Sequence, residues 1–299
     1  MAEYRTDVHI PPPPAVLDSV RLRDIQLYLP TAPDAWHRQG KPQPCTASLK
    51  LSYSSTVAAA AADDVSLSLD YGKLYRRLVE DVRQMAEPKA GAHQPTVYVD
   101  GKPKDERTIN TLSQDVRVFG GVIANCGLGL LDETAAGVRR MAHIQQSPWN
   151  SAAAAVAVAQ TGTPSASPSS FPIDGDYGKC EVWVHLPKAL LRAEGGLKYR
   201  NVTIWGYKQK ETDGINDELA IEVPAATTTD ADRRNVVLEE EFRIEGIRCY
   251  CIVGVNSHER VEKQQVIVTL EFKGPGQLTW GSTVVDTFQD MTKVIAEVR

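Results

Sequence analysis

Thiols and imidazoles are the side chains most able to do chemistry unaided, and here they do not cluster. The cysteines stand at 45, 126, 180, 249 and 251, an odd number at irregular spacing, with no Cys-x-x-Cys. That excludes a disulfide scaffold and a structural zinc site. Cys249 and Cys251 lie two apart in an expected strand and read as small buried apolar groups. The six histidines form neither His-Glu-x-x-His nor His-x-His, so no metal or cofactor is expected. Gly127-Leu-Gly129 has a dinucleotide-loop spacing. It follows a helical pattern and Asp132 takes the third glycine's place, which rejects that reading. What remains is proton chemistry by carboxylates, lysines and tyrosines. Its most distinctive setting is the string Gly254-Val255-x-x-x-Glu259-Arg260-x-x-x-Gln264. Taken alone, Glu259-Arg260 is a solvated loop pair of little energetic weight.

The elements that would position these groups follow from periodicity. Residues 1–19 carry a four-proline run and read as a flexible extended arm. Strands are expected over 20–29, 45–53, 180–186 and 201–207, with 187–198 as a connection. Asp70 should cap a helix whose apolar positions recur at Tyr71, Leu74, Tyr75, Leu78, Val82 and Met85. A second helical stretch falls within 109–145. Residues 87–108 and 147–175 read as insertions, and 208–240 as a polar linker.

Beyond the linker the pattern starts again. Leu22-Arg-Asp-Ile25-Gln-Leu-Tyr28 has the layout of Ile244-Glu-Gly-Ile247-Arg-Cys-Tyr250, and the strand after Gln43 that of the strand after Gln264. Asp70-Tyr71 aligns with Thr287-Phe288, and the offset drifts only from 222 to 217. This is a divergent tandem repeat of a strand–loop–strand–helix unit. It places a first domain at 20–207 and a second at 241–299.

Residues 251–272 resemble the dihydroneopterin aldolase signature, and the tandem arrangement is similar to the fungal folate-synthesis form. Asp70-Tyr71-x-x-Leu74, Glu133-Thr-Ala-Ala136 and His185-Leu-Pro187-Lys188 resemble its other, weaker blocks. The resemblance implies an α+β tunnelling fold: four antiparallel strands and two helices per unit, with units closing a ring in a homo-oligomer. It implies retro-aldol cleavage of a small pterin, 7,8-dihydroneopterin, without cofactor or metal. Epimerisation at C2′ is a companion activity. By the same resemblance Glu133 anchors the pterin, Lys188 transfers protons, Tyr71 supplies a hydroxyl from a neighbouring unit, and Glu259 is the loop carboxylate. Tyr71 and Glu259 are then expected to face each other between units. The copies differ: His37 stands where the second has Glu259, and Phe288 where the first has Tyr71. The second copy is expected to stop inside a helix that begins near Phe288, as a truncated gene product would. A non-catalytic pterin-binding or scaffold relative, and another enzyme of the same fold, are the alternatives.

Composition narrows the partners. Of 299 residues, 24% are charged and 42% hydrophobic, with a net charge of −5, so no global basic field invites nucleic acid. No apolar run approaches the roughly 20 residues of a membrane span. The N-terminal stretch has neither the basic n-region nor the apolar core of a signal peptide. A soluble cytoplasmic protein is the expectation.

Overall fold

The computed structural model describes residues 8–29, 35–36, 43–53, 68–86, 98–99, 102–103, 115–145, 177–208, 233–276 and 279–297. The strands are β1 (Val8–His9), β2 (Asp18–Leu29), β3 (Gln43–Tyr53), β4 (Tyr98–Val99), β5 (Lys102–Pro103), β6 (Gly178–Leu186), β7 (Ala193–Lys208), β8 (Arg233–Cys251) and β9 (Gln264–Pro275). The helices are α1 (Tyr71–Ala86), α2 (Val116–Gln145) and α3 (Thr279–Ala296). One antiparallel seven-stranded sheet runs β2-β3-β6-β7-β8-β9, with β1 beside the end of β7. The architecture is α+β.

Alternation along the central strands builds the core. On β3, Cys45, Ala47, Leu49 and Leu51 are buried, and on β6 so are Cys180, Val182, Val184 and Leu186. This row meets Ile123, Leu128 and Leu131 of α2, Leu74, Leu78 and Val82 of α1, and Val284 and Phe288 of α3. At α1 the Asp70 carboxylate accepts the Gly72 N–H at 2.7 Å and the Asp70 carbonyl accepts the Leu74 N–H, the expected cap. Tyr71 and Tyr75 do not join the core. They line the outer side of α1, Tyr71 at 70% exposure. Gly127 and Gly129 lie inside α2, which bears out their rejection as a phosphate loop.

The two hairpins of the sequence repeat carry the same irregularity. Between β2 and β3 the register shifts between Leu22 and Ile25; between β8 and β9 it shifts between Ile244 and Ile247. Inside each shift one residue has a left-handed backbone, Asp24 at φ 53° and Gly246 at φ 76°. These positions are 222 residues apart, like the ends of the shifts. The extra residue reverses side-chain parity. In β2 the core-facing positions accordingly pass from Val20 and Leu22 to Ile25 and Leu27.

Four expectations need correction. The expected linker runs too far, because residues 233–240 belong to β8, where Thr203 to Tyr207 pair with Val237 to Arg233; residues 209–232 lie outside the described residues. The connection 187–198 is a turn over 187–192, and β7 starts at Ala193. The arm is tied down in part, since Val8 and His9 pair with Lys208 and Tyr207. The last helix does not begin near Phe288. It starts at Thr279, so Phe288 sits more than two turns inside it, buried at 4% exposure, whereas Tyr71 opens α1 in solvent. The two are not structural counterparts. Of the insertion at 87–108, only the β4–β5 ladder falls within the described residues, and the whole of 147–175 lies outside them.

Candidate functional site

The Glu259 loop is built from its own signature residues. It joins β8 to β9 and contains one 3-10 turn, Ser257–Arg260. Glu259 Oε2 accepts the N–H groups of Val255 and Asn256, both at 2.9 Å, and Oε1 accepts Asn256 Nδ2 at 3.2 Å. Arg260 Nε donates to the Gly254 carbonyl at 2.7 Å. Gln264 Nε2 donates to the carbonyls of Val253 and Glu259. A side chain at Gly254 has no room, since an added Cβ would stand 2.4 Å from Glu259 Cβ. The Gly-x-x-x-x-Glu-Arg-x-x-x-Gln spacing is thus the covalent pattern of one closed hydrogen-bonded loop. The bonds from Asn256 and Val255 hold the Glu259 carboxyl below its ordinary range. At neutral pH it is ionised and engaged. The loop's apolar side chains point outward, Val255 at 87% exposure.

Glu133 lies on α2 against α1. It accepts Arg77 Nη1 at 2.5 Å and Lys73 Nζ at 3.1 Å, and these two cations, Arg77 first, lower its pKa. An exposed pair of this kind contributes about 0–1 kcal/mol. A cleft of about 420 Å³ opens beside it between Tyr71, Lys73, Leu130 and Thr134.

The antiparallel topology divides the four residues into two pairs. Gly127 packs on Leu51 and Cys180, and Asp132 bonds Arg233, so Glu133 lies near the end of the sheet where β6 begins. Tyr71 is on that side through the Lys73–Glu133 contact. Lys188 occupies the turn at the other end of β6, and the Glu259 loop leaves β8 at that same end. Nine residues of strand span about 26 Å. Within one chain the fold keeps Tyr71 and Glu133 apart from Lys188 and Glu259, so the expected meeting of Tyr71 with Glu259 does not occur inside it.

The Lys188 end holds a feature that sequence reasoning missed. A cleft of about 330 Å³ lies between the β6–β7 turn and α3, lined among others by Ala35, Ala189, Leu190, Gln289, Asp290 and Lys293. Arg192 of the turn reaches Glu297 after α3 at 3.1 Å and ties the two walls together. The misplaced start of α3 concealed this cleft, because its lining depends on which helical face looks toward the turn. His37 lies outside the described residues, although Trp36 beside it is exposed near this end.

A wider recess of about 460 Å³ occupies the helix-free face of the sheet. Its floor is Trp183, with the guanidinium carbons of Arg21 and Arg200 at 5.2 and 5.9 Å from the ring centroid. Most charges there neutralise one another: Arg200 bridges Glu181 and Glu239, and Lys198 bridges Glu245. It reads as a structural network. Among the described residues there is no cluster of three or more metal-ligating side chains, and no helix is long and apolar enough to cross a membrane. Comparison with protein-family models, curated proteins and solved structures finds no match to this chain.

Proposed function

We propose that this protein is an aldolase of the dihydroneopterin type, built from tandem tunnelling-fold units and active as a cytoplasmic homo-oligomer. The observation that carries the reading is the loop from Gly254 to Gln264. The polar signature residues Glu259, Arg260 and Gln264 each make a hydrogen bond within it, which supports reading the string as one structural unit. The order β2-β3-α1-α2-β6-β7, with both helices on one face, and the shared irregularity of the two hairpins support the architecture. Among the described residues, β2 and β9 each end the sheet with a 12-residue strand, and the two run in opposite directions. Copies joined edge to edge would therefore continue the antiparallel pattern and cover edges that otherwise invite non-specific pairing.

In this reading the reaction needs only proton transfer. A base takes the proton of the 2′-hydroxyl and the C1′–C2′ bond breaks. Its electron pair enters the conjugated C=N of the ring, and glycolaldehyde leaves. The resulting enamine carbon is then protonated to give 6-hydroxymethyl-7,8-dihydropterin. Lys188, through water, is the proton-transfer group, and Tyr71 of a neighbouring chain supplies the hydroxyl. The Glu259 loop frames the Lys188 end.

The non-catalytic alternative draws on a specific observation: Glu133 and Glu259 already spend their carboxylates inside the protein. Incubation with 7,8-dihydroneopterin separates the two. Glycolaldehyde release that falls about 10²–10⁴-fold in Lys188→Ala supports the enzyme; pterin binding without product supports the alternative.

A further inference from the structure

We infer that the cleft between the β6–β7 turn and α3 is the ligand pocket, and that Asp290 is the carboxylate that recognises the N–H donor edge of the bound ring. The inference rests on the pterin reading for its choice of ligand; the placement of the pocket rests on geometry alone.

Three observations lead there. The first is that Glu133 is occupied by Arg77 and Lys73, at the end of the sheet remote from Lys188. The second is charge accounting. Asp115, Glu133, Glu181, Glu194 and Glu245 all have cationic partners. Among the described residues Asp290 makes no ion pair; neither do Asp24, Asp81, Asp286 and Glu262, but of these carboxylates Asp290 alone lines the cleft beside Lys188. The third is placement. Lys188 directly precedes Ala189 in the turn that forms the cleft wall.

The geometry of α3 explains why this face is available. Val284, Phe288 and Thr292 recur every fourth residue and are buried, which fixes the rotation of the helix. Gln289, Asp290 and Lys293 then fall on the flank toward the turn. Ala189 and Leu190 supply an apolar wall against which a flat ring can lie, while Asp290 offers two acceptor oxygens. An amidine-like edge, with a ring N–H and an exocyclic amino group side by side, matches a carboxylate in a bidentate pair.

The test is equilibrium binding of neopterin to the full chain. Lumazine, which carries an oxygen where neopterin carries its 2-amino group, is the control ligand. Wild type should bind neopterin more tightly than lumazine. Asp290→Asn should weaken neopterin about 10- to 100-fold and abolish the preference, because charge-assisted bonds are lost. Its melting temperature should stay unchanged, since Asp290 is exposed. Unchanged neopterin binding by Asp290→Asn overturns the inference, and so does a wild type that binds neither pteridine. Glycolaldehyde release is read in parallel. Turnover with an unchanged KM in Asp290→Asn removes this inference and leaves the aldolase reading standing. Binding that depends on Asp290 without turnover does the reverse.

Discussion

Glu240 shows at the residue scale how burial and partnership divide a single carboxyl. It is 5% exposed on β8, and its Oε1 accepts the Tyr199 hydroxyl at 2.8 Å. Oε2 has no partner, nor do Asn201 Oδ1 and Thr203 Oγ1 on the neighbouring strand. Burial raises the Glu240 pKa, while the Tyr199 hydrogen bond and the charge of Arg117 oppose the rise and Asp115 adds to it. A carboxyl with a raised folded-state pKa contributes most stability below its unfolded value, near 4.5, and loses that contribution as pH rises through the folded value. Glu240→Gln should therefore remove a destabilising slope above that point. The variant should be at least as stable as wild type at pH 7 and lose its advantage toward pH 4, as urea denaturation across pH would show. A variant less stable at pH 7 would mean that the ionised carboxylate is needed there. Glu133 and Glu245 behave in the opposite sense. Their pKa values are lowered by cationic partners, Glu133 by Arg77 and Lys73 and Glu245 by Lys198, so their contribution fades as pH falls below about 4.5.

The elements show which parts of the fold the sequence encodes openly. The alternating runs of β3 and β6 were legible because one face of each is buried and the other is not. The capped start of α1 was legible because its donors need a local acceptor. The start of α3 was not, because Thr279 follows β9 after a short connection with no capping pattern, and the Asp70–Tyr71 alignment pointed nine residues too far along. The N-terminal half of β8 was hidden by Glu239, Glu240 and Glu241. Three successive glutamates resemble a linker until Arg200 and Lys273 are seen to neutralise two of them across the sheet. Two-residue steps that become three-residue steps, Leu22 to Ile25 and Ile244 to Ile247, were the visible trace of the shared bulge. Its two left-handed residues make a reciprocal prediction. Asp24→Gly should relieve about 1 kcal/mol of backbone strain, and Gly246→Ala should cost about 1–2 kcal/mol. Chemical denaturation measures both. Negligible changes at both would show that the left-handed backbone carries no such cost at either position.

For the molecule as a whole, the central question is where complete chemistry can assemble. One chain holds Lys188, the Glu259 loop and the α3 cleft at one end of a sheet, and Tyr71 at the other. Among the described residues, β2 and β9 end the sheet with no further strand beside them. The candidate residues were legible as types, and the Gly254–Gln264 string as a local motif that forms one hydrogen-bonded loop. Their separation was not, because sequence spacing carries no information about which end of an antiparallel sheet a loop leaves until the strand order is known. The proposed aldolase site is therefore one shared between chains. Co-expression of Tyr71→Phe with Lys188→Ala tests that claim most directly, with glycolaldehyde release from 7,8-dihydroneopterin as the readout. The account predicts that each variant alone is inactive and that mixed assemblies regain activity, since some interfaces then join an intact Tyr71 to an intact Lys188. Mixed assemblies as inactive as their parents, or full activity in either parent, would contradict it.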